Sequence, residues 1–98
     1  MKDGIAVFVK YDCPTCLMVV PVLEKIQKTV EMKVFVQDYP EKFPSLMVED
    51  DRELADSYDY NIEIVPTLVR IENGAEVERC VGWERSSWER MSQTKALG

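Results

Sequence analysis

An apolar, β-branched run from Ile5 to Lys10 gives way within a few residues to a different pattern. From Cys16 to Val30 the apolar residues Leu17, Val20, Leu23, Ile26 and Val30 recur at steps of three and four. The first pattern is that of a buried strand, the second that of a helix with one apolar face. A strand that runs into such a helix buries both against a sheet, which directs the chain to an α/β architecture. Pro21 stands inside the helical stretch, where its missing N–H breaks one backbone hydrogen bond and bends the axis.

The alternation continues. Lys33 to Gln37 carries Val34 and Val36 between polar neighbours and reads as a second strand; Tyr39 to Glu49, with Pro40 and Pro44, reads as a loop. Asp50 or Asp51 can cap a short helix running to about Tyr58. Thr67 to Glu72 is a third strand. Asn73-Gly74 favours a tight turn, so the chain returns as Val77 to Val81 until Gly82 stops it. Ser86 or Ser87 can cap a last helix carrying Trp88, Met91 and Leu97. The order is β-α-β-α-β-β-α, and the expectation is an α/β domain over residues 1–98 with a mixed four-stranded sheet and helices on both faces. The first two strands, joined by a helix, should be parallel through a right-handed crossover, and the last two an antiparallel hairpin.

Composition removes several functions. With 98 residues the chain has room for one core. Twelve basic against 18 acidic residues leave a net charge of −6 with no basic stripe, so no nucleic-acid partner is expected. There is no histidine, which eliminates every His-dependent nucleophile, proton shuttle and metal site. Three cysteines, an odd number, do not make a disulfide-stapled scaffold. Residues 1–4 are polar or small, and the apolar runs Ile5–Val9 and Leu17–Leu23 are too short for a signal core or a membrane span. A soluble, cytoplasmic monomer without membrane contact is expected.

Chemistry concentrates in Cys13-Pro14-Thr15-Cys16, between the first strand and its helix. Cys13 falls at the N-cap and Pro14 in the first turn, where a missing N–H is harmless. Unpaired amides and the positive end of the helix dipole then face the Cys13 sulfur and favour the thiolate, the form that attacks disulfides. Cys16, one turn in and less exposed, would be the thiol that attacks the mixed disulfide and releases the product. Zinc requires about four ligands; Cys80 is the one thiol left and there is no imidazole, so no metal and no cofactor are expected. Cys80 itself falls in a strand, on the face opposite Val77, Arg79 and Val81, and is expected to be a packed or partly exposed thiol.

Cys13-Pro14-Thr15-Cys16 through Pro21 resembles the active-site helix of the thioredoxin-like family, which places a kinking proline five residues after the second cysteine. Leu54 to Tyr58 followed by Ile64-Val65-Pro66-Thr67 is similar to the family's short helix and cis-proline loop, and Gly82 to the glycine after its last strand. The resemblance runs from about Ile5 to the C-terminus. It implies a thiol–disulfide oxidoreductase acting on protein disulfides. Cys13 would be the nucleophile and Cys16 the resolving thiol. Pro14, Thr15, Val65, Pro66, Thr67, Gly82 and Trp83 would line the substrate groove, and a reductase or small thiol would recycle the pair. A cis Val65–Pro66 bond, about 0.5–1 kcal/mol above trans, would turn the Val65 backbone toward the cysteines to pair with an extended substrate.

The chain also departs from that family. The family's usual extra strand and helix before the first strand are not expected here, since four residues precede Ile5. Asp12 stands where a tryptophan is usual before the first cysteine, and is expected to point into water. Val7 replaces the buried acid six residues before Cys13, and Leu17 the basic residue after Cys16. Two alternatives therefore accompany the enzyme: a non-catalytic binding module on the same fold, and a glutathione-dependent, glutaredoxin-like reductase. Against the latter, Val81-Gly82-Trp83-Glu84 stands in place of the glutaredoxin Gly-Gly-Asp patch.

Overall fold

The computed structural model describes residues 2–93; Leu97, expected in the last helix, lies outside them. Strand β1 (Gly4–Val9) forms the middle of a five-stranded sheet with β2 (Met32–Val36) and β3 (Val48–Asp50) on one side and β4 (Thr67–Glu72) and β5 (Ala75–Val81) on the other. The order is β3-β2-β1-β4-β5. β1 and β2 are parallel, with Val7 opposite Val34, and β4 and β5 form the antiparallel hairpin, as expected. Asn73 and Gly74 turn that hairpin with φ of 54° and 79°.

The sheet has five strands rather than four because of β3, which begins in the stretch read as a loop and ends at Asp50, read as a possible helix cap. β3 pairs in parallel with β2 through Val34–Val48, Phe35–Glu49 and Val36–Asp50. Glu49 and Asp50 are exposed, so the strand has no apolar periodicity; its basis is backbone pairing along a free β2 edge. A 3₁₀ turn at Pro40–Lys42 occupies the start of the same stretch.

The long helix is two. α1 (Pro14–Met18) and α2 (Val20–Thr29) meet at Val19, whose ψ of 1° leaves the helical region. Pro21 has no N–H to give the Leu17 carbonyl, so the ladder fails at that turn. α3 (Ala55–Asp59) starts later than expected. Asp51 still caps it, but from four residues upstream: its carboxylate, 2% exposed, accepts N–H bonds from Asp56 and Ser57 and the Ser57 hydroxyl. Leu54 bridges the gap in a left-handed conformation, φ 63°. α4 (Arg85–Ser92) is capped by Glu84, not by a serine: the Glu84 carboxylate accepts the Ser87 N–H and the Ser86 hydroxyl. A longer acid side chain performs the task assigned to Ser86 or Ser87.

Alternation along β1 divides the core. Ile5, Val7 and Val9 join Val34, Val36 and Leu68 beneath α1, α2 and α4, where Leu23, Ile26 and Trp88 are fully buried. Ala6 and Phe8 face the other way with Phe35, Val69 and Ile71, covered by Tyr60 and Ile62 after α3. Phe8 stacks on Phe35, the residue opposite it in the parallel register, at 4.8 Å. Both faces of β1 are therefore dry, and its carboxyl end, with the loop to α1, is the part of the central strand open to chemistry.

Candidate active site

Cys13 is the N-cap of α1, in extended conformation (φ −159°, ψ 103°). Its sulfur accepts the backbone N–H of Cys16 at 3.2 Å. This is the local reason for the Cys-x-x-Cys spacing: the N-cap side chain reaches the N–H three residues on, which belongs to the second cysteine. Pro14 opens the helix, and both Pro14 and Thr15 are exposed on its first turn. All three cysteines are free thiols.

The second wall comes from the far end of the chain. The Val65–Pro66 bond is cis. The Val65 carbonyl oxygen lies 3.9 Å from the Cys13 sulfur. The Thr67 hydroxyl donates to the Ile64 carbonyl at 2.6 Å, closing the bend around the proline. Gly82 donates its N–H to the Pro66 carbonyl at 2.7 Å, which brings the end of β5 to the same loop. Gly82 has φ 86°, a conformation that a side chain would strain. Its own carbonyl accepts the Trp88 indole N–H at 3.1 Å and the Cys80 thiol at 3.5 Å. Trp83 packs edge-on against Trp88, centroids 4.9 Å apart. Of the residues singled out from sequence, Cys13, Cys16, Val65, Pro66, Thr67 and Gly82 thus join one hydrogen-bonded cluster. Trp83 sits beside it on the Trp88 ring. Cys80, half-buried opposite Leu68, serves this cluster as a donor.

The two active-site sulfurs differ in environment. Cys13 is half-buried and Cys16 has no solvent exposure. Burial first, then the hydrogen bond of Cys13 and the charges of Cys13 and Asp38, push the Cys16 thiol from 9.0 up to about 12, against an opposing backbone hydrogen bond from Lys10. At neutral pH Cys16 is therefore protonated. Below its raised pKa its thiolate fraction, and with it its alkylation rate, rises about tenfold for each pH unit. Iodoacetamide applied to the reduced, folded protein at neutral pH should spare Cys16. Labelling of Cys16 should climb steeply toward pH 12, as peptide mass mapping will read. Equal labelling of Cys13 and Cys16 at neutral pH would contradict this burial.

Sequence reasoning missed Asp38, at the end of β2. Its carboxylate accepts the N–H groups of Tyr11 (2.8 Å), Asp12 (2.9 Å) and Tyr39 (2.7 Å), tying the loop before Cys13 to the neighbouring strand. Desolvation raises its pKa, but those backbone donors outweigh it and hold the carboxyl below its ordinary range. No periodicity marks such a residue; an acid just beyond a strand is a weak sign. Asp12 is exposed, as expected, and Val7, at the position of the family's acid, is fully buried among the apolar residues that surround Cys16. Among the described residues no cluster of cysteine, aspartate and glutamate is arranged to hold a metal ion.

Comparison with solved structures returns thioredoxins. The thioredoxin pre-protein of Schistosoma mansoni matches with a TM-score of 0.68 at 21% identity, over 97% of this chain and 81% of that one. Plasmodium falciparum thioredoxin matches at 0.65 and 26% identity, over 95% and 85%. The exposed lipoprotein thioredoxin of Streptococcus pneumoniae matches at 0.72 and 18% identity, over 94% and 84%. No curated protein matches this sequence significantly. The family model described as "TraF: F plasmid transfer operon protein" matches residues 1–82. A five-stranded sheet with a Cys-x-x-Cys helix, a cis-proline loop against it and this family match place the chain in the TraF family of thioredoxin-like proteins.

Proposed function

We propose that the protein is a thiol–disulfide oxidoreductase that exchanges disulfides with protein substrates through Cys13 and Cys16. The observation that carries this reading is the position of the Cys13 sulfur, at the open start of α1, 3.2 Å from the Cys16 N–H and 3.9 Å from the Val65 carbonyl oxygen. The Cys13 thiolate attacks one sulfur of a substrate disulfide. The S–S bond breaks, the far sulfur leaves as a thiolate with the electron pair, and a mixed disulfide joins Cys13 to the substrate. Cys16 gives its proton to the substrate thiolate just released, attacks the Cys13 sulfur and expels the second substrate thiolate. Two electrons have then passed to the substrate, its second thiolate takes a proton from solvent in place of the one Cys13 released on ionising, and the protein holds a Cys13–Cys16 disulfide. A reductase or small thiol restores the dithiol, and no cofactor takes part. Val65 offers its backbone to an extended substrate segment, with Pro14, Thr15, Gly82 and Trp83 around it; Pro66 and Thr67, both buried, shape the loop from beneath rather than line the groove.

The compartment we propose is the cytoplasm, where such a pair works as a reductant. Equilibration of the Cys13–Cys16 couple against glutathione buffers tests this. The reading expects a reversible two-electron transition between roughly −270 and −120 mV, and the cytoplasmic assignment expects it near the low end. Fully buried Val7, in place of a proton-accepting acid, favours a second reading, a binding module that has kept the fold without the turnover. That reading gains if the couple lies far below the glutathione range and model disulfides are not exchanged.

A further inference from the structure

Beside Cys13 the surface opens into a groove of about 570 Å³ at the carboxyl ends of β1 and β2. It is continuous with the proposed site at two points. Asp12, on one side, directly precedes Cys13, and Glu63, on another, lies two residues before Val65. An extended chain advances about 3.3 Å per residue. A substrate whose sulfur meets Cys13 can therefore reach this groove with a side chain a few residues away.

The lining has a charge preference. Asp12, Asp38 and Glu63 bring three carboxylates to it, against Lys10 and Arg52. Arg52 is already committed: its Nε and Nη2 donate to both oxygens of Asp50, at 2.7–3.1 Å. Lys10 is then the remaining cation. Asp38 is held ionised by its three backbone donors. Tyr39, 50% exposed, and Tyr58, 83% exposed, add aromatic rings to the same groove. Carboxylates interleaved with exposed tyrosines suit an alkylammonium or guanidinium group, which gains from both charge and ring quadrupole. An acidic segment would meet three like charges.

We propose that this groove seats a lysine- or arginine-bearing segment of the substrate polypeptide, next to the disulfide that Cys13 attacks. The inference rests on the dithiol reading for its substrate, but its test does not use that chemistry. Short dye-labelled peptides, with serine in place of the substrate cysteine and either lysine or glutamate flanking it, are titrated into the intact reduced protein by fluorescence anisotropy. The lysine peptide should bind about tenfold or more tightly than the glutamate peptide at low ionic strength, and the gap should narrow as salt is added. Glu63→Lys should reduce the gap to about threefold or less, and Glu63→Gln should fall between, with folding checked by circular dichroism. Equal affinities, a preference for the glutamate peptide, binding of neither, or a gap untouched by Glu63→Lys in folded protein would each overturn the proposal. Failure of the dithiol reading shows elsewhere, as a small disulfide that the reduced wild-type protein cannot reduce.

Discussion

Replacing Cys13 by serine should lower the rate of disulfide reduction on the order of a thousandfold or more, because a hydroxyl at that position supplies no nucleophile at neutral pH. The fold should hardly respond: serine is nearly isosteric, and an N-cap serine accepts the Cys16 N–H as the sulfur does. Cys16→Ser should behave differently. The first attack remains possible, but nothing expels the substrate, so the mixed disulfide accumulates and the protein is recovered covalently bound to it. Non-reducing electrophoresis with a protein disulfide substrate separates the two variants. Turnover retained in Cys13→Ser would end the oxidoreductase reading. A Cys16→Ser variant that released its substrate as fast as wild type would instead deny Cys16 its resolving role. The asymmetry follows from burial: one sulfur reaches solvent, the other lies in the core with its thiol pushed up to about 12.

What could be read from sequence and what could not divide along one physical line. Elements made by side-chain burial were visible. β1, β2, β4, the helix after Cys13 and the hairpin at Asn73-Gly74 all carry apolar periodicity or turn chemistry, and all are present to within two residues at most boundaries. Cys13 at an N-cap was readable because proline, cap geometry and spacing act within four residues. Elements made by backbone pairing or by distant side chains were not. β3 has a single apolar residue, Val48, and exists because β2 offers an edge. Asp51 reaches past Leu54 to cap α3, and Glu84 caps α4 although two serines follow it. Asp38 meets Tyr11 and Asp12 across 26 or more residues of sequence. The groove beside Cys13 combines three such distant segments, so no local pattern announced it.

Trp88 is where the packing and the site depend on one side chain, and its removal should be the most damaging single change outside the cysteines. The side chain is fully buried; it packs edge-on against Trp83 and donates to the Gly82 carbonyl at 3.1 Å. Trp88→Ala should cost about 3–5 kcal/mol, from lost apolar contact and the cavity left behind. In a domain of this size each kcal/mol moves the thermal midpoint by about 4–8 °C, so melting should begin at least ~12 °C lower and the variant should approach the limit of a small domain's stability. Trp88→Phe separates the two contributions. It keeps most of the apolar volume but withdraws the indole N–H from the Gly82 carbonyl, a loss of about 1 kcal/mol for that bond together with a modest packing defect. Because Gly82 in turn donates to the Pro66 carbonyl, the phenylalanine variant should stay folded at room temperature and still show weaker binding of peptide substrates. That would appear as a raised KM with little change in kcat. If Trp88→Ala melts within a few degrees of wild type, α4 is not held to the sheet by this side chain. If Trp88→Phe leaves KM unmoved, the indole bond braces the helix alone and the cis-proline loop is positioned without it.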